Sequence, residues 1–394
     1  MITMSKSSES LERWQRNFMN TYGTPHVVLE RGQGAKVWDV DGNEYVDLLA
    51  GIAVNILGHA HPAIVDAVTK QLSTLGHTSN FATHRPGIEL GERLMALTGR
   101  EGKVFFCNSG AEANETAIKV ARRTGRSHIV SLLHSFHGRT MGALSMTGQP
   151  KKYEPFRPLI PDITFVEPND IPGLHAEITD STSAFWAEPI QGEGGVLPLS
   201  RDFLQAARSA CTDTGALLVL DEVQTGIART GEWFSYQHAQ VEPDVLLLAK
   251  GLGGGLPIGA CIAFGEYGDL LGPGSHGATF GGNPVSCAAA LAVLDVVEED
   301  NLMKRALEIE QAFHHGLDGV AGVLNVRGQG AMIGLLLDGE YGAQVEKRAQ
   351  ELGVIVNSPN PHIIRLVPPL VITDEELHLG IDRLGQALTE CAPA

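Results

Sequence analysis

Two short apolar runs in this chain each end on a charged side chain. Gly215-Ala-Leu-Leu-Val-Leu-Asp221 delivers an acid, and Pro243-Asp-Val-Leu-Leu-Leu-Ala-Lys250 delivers a lysine. A lysine amine can capture an aldehyde as a Schiff base, and a carboxylate can hold a proton on an aromatic ring nitrogen. The same two groups could instead form an ion pair capping two strand ends. Runs of this length, almost free of polar residues until they stop, are expected of strands buried on both faces of a parallel sheet. Ligands of open α/β sheets bind beyond the carboxyl ends of such strands, where both charges would sit.

Other segments carry groups suited to the same edge. Asn108-Ser-Gly-Ala-Glu-Ala-Asn114 follows a buried run and opens a helix whose Glu115 and Lys119 stand at i,i+4. Ser109, Gly110 and Ala111 would leave backbone N–H groups converging at the positive end of a helix, a ready phosphate cradle. The plainer alternative is an ordinary helix cap on Ser109 or Asn108. In Ser135-Phe-His-Gly-Arg-Thr140, Phe136 offers a flat face and Arg139 a fork for a carboxylate. Glu188 and Glu193 lie in the glycine-rich loop Ala187-Glu-Pro-Ile-Gln-Gly-Glu-Gly-Gly195, again after a buried run. The segment His276-Gly-Ala-Thr-Phe-Gly-Gly-Asn-Pro284 sets the hydroxyl of Thr279 among glycines, within reach of a phosphate, even one bound by a neighbouring subunit. Arg365 interrupts an otherwise apolar strand, where burial requires a carboxylate partner.

The elements that would position these groups follow from the patterning. From about residue 60 to 265 the chain alternates strand, loop and helix, with strands at Val104–Cys107, Ile129–Leu133 and Ala184–Ala187 and helices at 62–75 and 203–214. This alternation predicts a large, mostly parallel sheet with helices on both faces. Gly34 to Leu48 predicts a hairpin turning at Asp41-Gly42. The Asp39, Asp41 and Asn43 spacing does not make a calcium loop, because Glu44 stands at the glycine position and Ala50 at the final glutamate position. One long helix is expected from Val285 to about His315, then strands near 334–337 and 354–356 and a last helix over 374–388. The economical division is a large domain at 56–284 and a smaller α+β domain built from both chain ends, 1–55 and 285–394.

The net charge of −17 excludes a basic nucleic-acid or anionic-membrane surface as the main working face. The charged first twenty residues argue against a secretory leader, and no stretch has the length and apolarity of a membrane span. Five dispersed cysteines, never in C-x-x-C spacing, point to a reducing cytoplasm rather than a disulfide framework. His59-Ala-His61 precedes Pro62 and reads as a loop entering a helix, so no metal site is expected. Gly32-Gln-Gly34 and Gly251-Leu-Gly-Gly-Gly255 lack the strand and helix that a dinucleotide fingerprint needs.

Together and in order, these motifs resemble the class III, fold-type I pyridoxal phosphate aminotransferases, from Asp47-Leu-Leu-Ala-Gly-Ile-Ala-Val-Asn55 through Arg365-Leu-Val-Pro-Pro369. The resemblance implies that Lys250 holds the cofactor and carries the substrate proton, while Asp221 keeps the ring nitrogen protonated. It implies cofactor contacts from Ser109, Gly110, Ala111, Phe136, Glu222, Val223 and Gln224, with Thr279 supplied across a homodimer that shares its active sites. It places Arg139, Glu193, Ala278 and Arg365 around the substrates. Arg139 would clamp the α-carboxylate of N2-acetylornithine and Arg365 that of glutamate, with Glu193 neutralising Arg365 when no substrate carboxylate is there. The implied reaction is ping-pong transamination between N2-acetylornithine and 2-oxoglutarate in arginine biosynthesis. Ornithine, 4-aminobutyrate and succinylated diamines are the alternative donors. Ala278 departs from the serine that relatives often carry, which removes a hydroxyl contact near the acyl group.

Overall fold

A computed structural model describes residues 5–393; positions 1–4 and 394 of the expected small domain lie outside the described residues. Its centre is a seven-stranded sheet. In spatial order the strands are Gly102–Cys107, Gly259–Phe264, Val245–Leu248, Leu217–Asp221, Thr182–Ala187, His128–Leu132 and Ile163–Val166. All neighbours run parallel except Gly259–Phe264, which is antiparallel to both strands beside it. The mostly parallel α/β architecture expected from the alternation is the one observed.

Strand periodicity explains why helices cover both faces. Leu218, Leu220, Leu246 and Leu248 enter one apolar core with Phe203, Leu204 and Ala207 of the helix Arg201–Thr214. Their neighbours Leu217, Val219, Val245 and Leu247 point the other way, into a second core with Ala113, Ala117, Val120 and Ala121 of the helix Gly110–Arg122. Side chains alternate across a strand, so a run that is apolar at every position requires cover on both sides.

Two smaller sheets flank this centre. Leu29–Gln33, Lys36–Asp39 and Glu44–Asp47 form an antiparallel set that includes the expected hairpin, and Val354–Ile355 adds to it in parallel. The two chain ends thus meet in one sheet. Val323–Gln329, Met332–Leu337, Ile363–Leu366 and Asn357–Asn360 make an antiparallel sheet that carries Arg365.

The single helix expected over 285–315 is two helices, Pro284–Glu299 and Leu302–Leu317. Asn301 breaks it in the left-handed region at φ 53°, a conformation that asparagine tolerates better than most residues. The first of these helices packs on Pro62–Thr74 and Arg85–Thr98. Among the described residues no helix is long and apolar enough to cross a membrane.

Candidate active site

Asp221 is the last residue of its strand and pairs in register with Leu247 of the next, so Lys250 emerges at the same edge three residues later. Lys250 opens a short 3-10 turn with φ 41°. A non-glycine residue there carries strain on the order of 1–3 kcal/mol, which persists where the surroundings over-determine the geometry. Both side chains line a cavity of about 420 Å³ that Ser109, Gly110, Ala111, Phe136, Arg139, Val223 and Gln224 also line. The structure therefore gathers into one cavity residues separated by up to 141 positions.

Asp221 is buried and accepts three hydrogen bonds, which leaves one of the roughly four acceptor sites of a carboxylate open. Its Oδ2 accepts from His137 Nδ1 at 2.7 Å and from Asn114 Nδ2 at 2.9 Å, and its Oδ1 accepts from the Val223 N–H at 3.1 Å. A carboxylate facing His137 Nδ1 requires the proton on that nitrogen. The Asn114 amide is oriented in turn, because Trp186 Nε1 donates to its Oδ1 at 2.8 Å and can only donate. Asn114, His137 and Trp186 are functional neighbours that sequence reasoning passed over. His137 lies inside a loop already of interest, but its partner is 84 residues away and no spacing pattern announces it.

Lys250 is half-buried at the cavity wall. Burial, aided by the Arg365 charge, pushes its amine down to about 8, against the opposing influence of Glu193, Glu188 and Asp221. Glu188 is also buried and its carboxyl is pushed up to about 7, despite His137 nearby and hydrogen bonds from the Phe136 and Gly192 N–H groups. Glu188 thereby ties the loop that carries Phe136 to the glycine-rich loop that carries Glu193.

The helix start has the form of an anion cradle. Ser109 caps it by accepting from the Glu112 N–H at 3.2 Å, while the N–H groups of Gly110 and Ala111, at the first two helical positions, have no intrahelical acceptor. A Cβ on Gly110 would lie 2.8 Å from the methyl groups of Val223, so glycine lets this helix close against the cavity wall.

Glu222 departs from expectation. It follows Asp221, and extended backbone sends consecutive side chains to opposite sides. Its carboxylate faces away from the cavity and accepts from the N–H groups of Ser235 (2.6 Å) and Tyr236 (2.7 Å) and from the Thr225 hydroxyl. It anchors the loop beyond the strand. Ala278 and Thr279 do not line this chain's cavity either, and Thr279 is exposed.

Arg365 and Glu193 form a pair just behind the cavity wall, with Nη1 to Oε1 at 2.6 Å. Arg365 is fully buried. It also donates to Asn357 Oδ1 at 3.0 Å and to Gln224 Oε1 at 3.3 Å, yet its Nη2 has no partner among the described residues. The carboxylate partner expected for this arginine is present, and one strong donor is left over. Burial opposes ionisation of Glu193, but Arg365, Lys250 and Lys152 hold its carboxyl below the usual carboxylate range.

The family model for class-III aminotransferases matches residues 18–388. The chain belongs to the class-III aminotransferases. It is 52% identical to the acetylornithine aminotransferase of Streptomyces coelicolor, over 98% of this chain and 97% of that one. Among solved structures it is similar to the acetylornithine aminotransferase of Elizabethkingia anophelis, with a TM-score of 0.88, 35% identity and coverage of 98% and 100% of the two chains. It is also similar to the ornithine aminotransferase of Toxoplasma gondii, with a TM-score of 0.93, 31% identity and coverage of 99% and 96%; that active site holds PLP at partial occupancy. The cofactor of this aminotransferase is pyridoxal 5′-phosphate. The cavity fits it in three independent respects: an acid braced by His137 and Asn114 for a ring nitrogen, a lysine for an aldehyde, and a helix start with free N–H groups for a phosphate.

Proposed function

We propose that this aminotransferase exchanges the terminal amino group of N2-acetyl-L-ornithine with 2-oxoglutarate, giving N-acetyl-L-glutamate 5-semialdehyde and L-glutamate in arginine biosynthesis. The observation that carries this reading is the buried Arg365, neutralised by Glu193 yet holding a spare Nη2 donor. Bound pyridoxal phosphate supplies an electron sink that lets a C–H proton beside the amino group be removed.

The residues divide the remaining work. Lys250 would hold the cofactor's aldehyde end, and its amine would move the proton from the donor carbon. Asp221 holds a proton on the ring nitrogen, braced by His137 and Asn114. Phe136 and Val223 would confine the ring, Gln224 would serve its hydroxyl, and Ser109, Gly110 and Ala111 would hold the phosphate. We assign the protein to the cytoplasm and to a homodimer in which Thr279 of each protomer completes the phosphate site of the other. Residues 56–284 act as the cofactor domain, and 1–55 with 285–394 as the small domain.

Arg139, at the cavity wall and 5.5 Å from the Phe136 ring centroid, is the clamp for the α-carboxylate of the acylated donor. That donor presents an uncharged methylene chain to Arg365, so Glu193 stays paired. Glutamate brings a second carboxylate, which takes Arg365 and releases Glu193. One arginine thus serves one half-reaction and is silenced in the other.

The test follows the cofactor's absorption while acetylornithine, ornithine, 4-aminobutyrate, succinylornithine or glutamate is added singly. Rapid conversion by acetylornithine and glutamate, and slow conversion by the rest, is the expected pattern; equal or faster conversion by ornithine or 4-aminobutyrate would reassign the donor. Replacing Glu193 with glutamine leaves Arg365 charged and unneutralised when the acylated donor binds. The ratio of kcat/KM for glutamate to that for acetylornithine should rise about tenfold, a difference of about 1.4 kcal/mol. An unchanged ratio would remove Glu193 from the selection.

A further inference from the structure

Releasing Glu193 from Arg365 leaves a largely buried carboxylate that needs a second cation. The structure offers one. Lys152 Nζ stands 4.0 Å from Glu193 Oε2, the carboxylate oxygen that Arg365 does not hold. That distance is outside hydrogen-bonding range, and a charge-assisted N–H···O contact closes at about 2.8 Å. A small rotation of the glutamate covers the difference.

The lysine is built into place. Its own N–H donates to Gln149 O at 2.8 Å, and Gln149 Nε2 donates to His134 O and Ser135 O, directly before Phe136. Tyr153, the next residue, stacks on Phe165 at 5.9 Å. The ammonium rests 4.8 Å from the Phe136 ring centroid, and only about a quarter of the side chain is exposed. Burial, together with the charges of Arg139 and Arg365, holds this amine below its ordinary value, against the pull of Glu193. A lysine crowded by two arginines gains most from an anion that moves toward it.

We propose that Lys152 is the second docking point of Glu193, a positioning residue that receives the carboxylate whenever a dicarboxylic substrate occupies Arg365. The proposal rests on the transaminase reading above and deepens it. Lys152 sets how readily Arg365 changes partner, and so how well the enzyme accepts glutamate relative to the acylated diamine. Lys152 touches neither substrate in this role; it acts through Glu193.

The experiment uses the cofactor-loaded enzyme and its two half-reactions. Lys152→Met keeps the aliphatic stem over Phe136 and removes the charge, and Lys152→Gln does so with a shorter polar chain. Either should lower the glutamate-to-acetylornithine ratio of kcat/KM about tenfold, mainly through KM for glutamate, while Lys152→Arg restores it. Binding of glutarate, a dicarboxylate with no amino group to transfer, should weaken about tenfold in Lys152→Met by calorimetry. In a Glu193→Gln background the same substitution should leave the ratio where it was, because no carboxylate remains to dock. Equal losses with both donors, unchanged glutarate affinity, or a full effect persisting without Glu193 would each overturn the proposal. Wild-type enzyme inert toward both donors would overturn the underlying reading and the proposal with it.

Discussion

Replacing Lys250 with alanine lowers the rate of either half-reaction by about 10⁴-fold, the upper end for loss of a positioned proton carrier. The expected protein is folded and still binds pyridoxal phosphate through the helix start at Ser109, but without a covalent attachment. Borohydride reduction followed by peptide mass analysis should find the cofactor on Lys250 in the wild type and nowhere in the variant. The same lysine gives a pH dependence of known sign. Its amine is pushed down to about 8 by burial, so the protonated form dominates below that pH and the nucleophilic form above it. Capture of cofactor by the cofactor-free protein should therefore accelerate as pH rises, by about tenfold per unit below 8, and level off above. A rate that falls as pH rises through this range would mean that another group limits capture.

The strand edge that brings Asp221 and Lys250 together is legible because burial on both faces leaves a plain mark in sequence, a run of consecutive apolar residues with a charge at its end. The helix start at Gly110 is legible for a related reason, since small residues opening a helix after a buried strand leave its first N–H groups uncovered. What escapes is whatever depends on distant pairing. Trp186, Asn114 and His137 form one hydrogen-bonded chain to Asp221, yet each alone is an unremarkable residue of a strand, a helix or a loop. Glu222 shows the opposite error. The family resemblance implied a cofactor contact for it, but the backbone places the carboxylates of Asp221 and Glu222 on opposite sides, one toward the cavity and one into the Ser235–Tyr236 turn. The break at Asn301 carries no glycine or proline, so the helical pattern runs through it unmarked. Lys152 sits among Lys151, Glu154 and Arg157 and reads as loop charge until its distances to Glu193 and Phe136 are known.

Asp221→Asn should reduce turnover by about 10³-fold, comparable to removing a preorganised charge from a water-excluded site. The loss has two parts. An amide cannot hold a proton on the ring nitrogen as a carboxylate does, so the electron sink weakens. The substitution also conflicts with its surroundings, because Oδ2 receives donors from both His137 and Asn114 while Oδ1 receives the Val223 N–H. An asparagine has one acceptor oxygen, so its NH₂ must face a donor whichever way it turns, and a buried donor left unmatched costs about 1–3 kcal/mol. His137 can relieve part of this by moving its proton to the other ring nitrogen, Nε2, which has no partner among the described residues. His137→Phe separates the two parts, since it leaves the Asp221 charge in place and removes one brace. That variant should lose only about tenfold and keep the spectrum of a protonated ring, whereas Asp221→Asn should lose that spectrum with its activity. If the two variants fell equally, the bracing by His137 rather than the charge on Asp221 would be what the reaction requires.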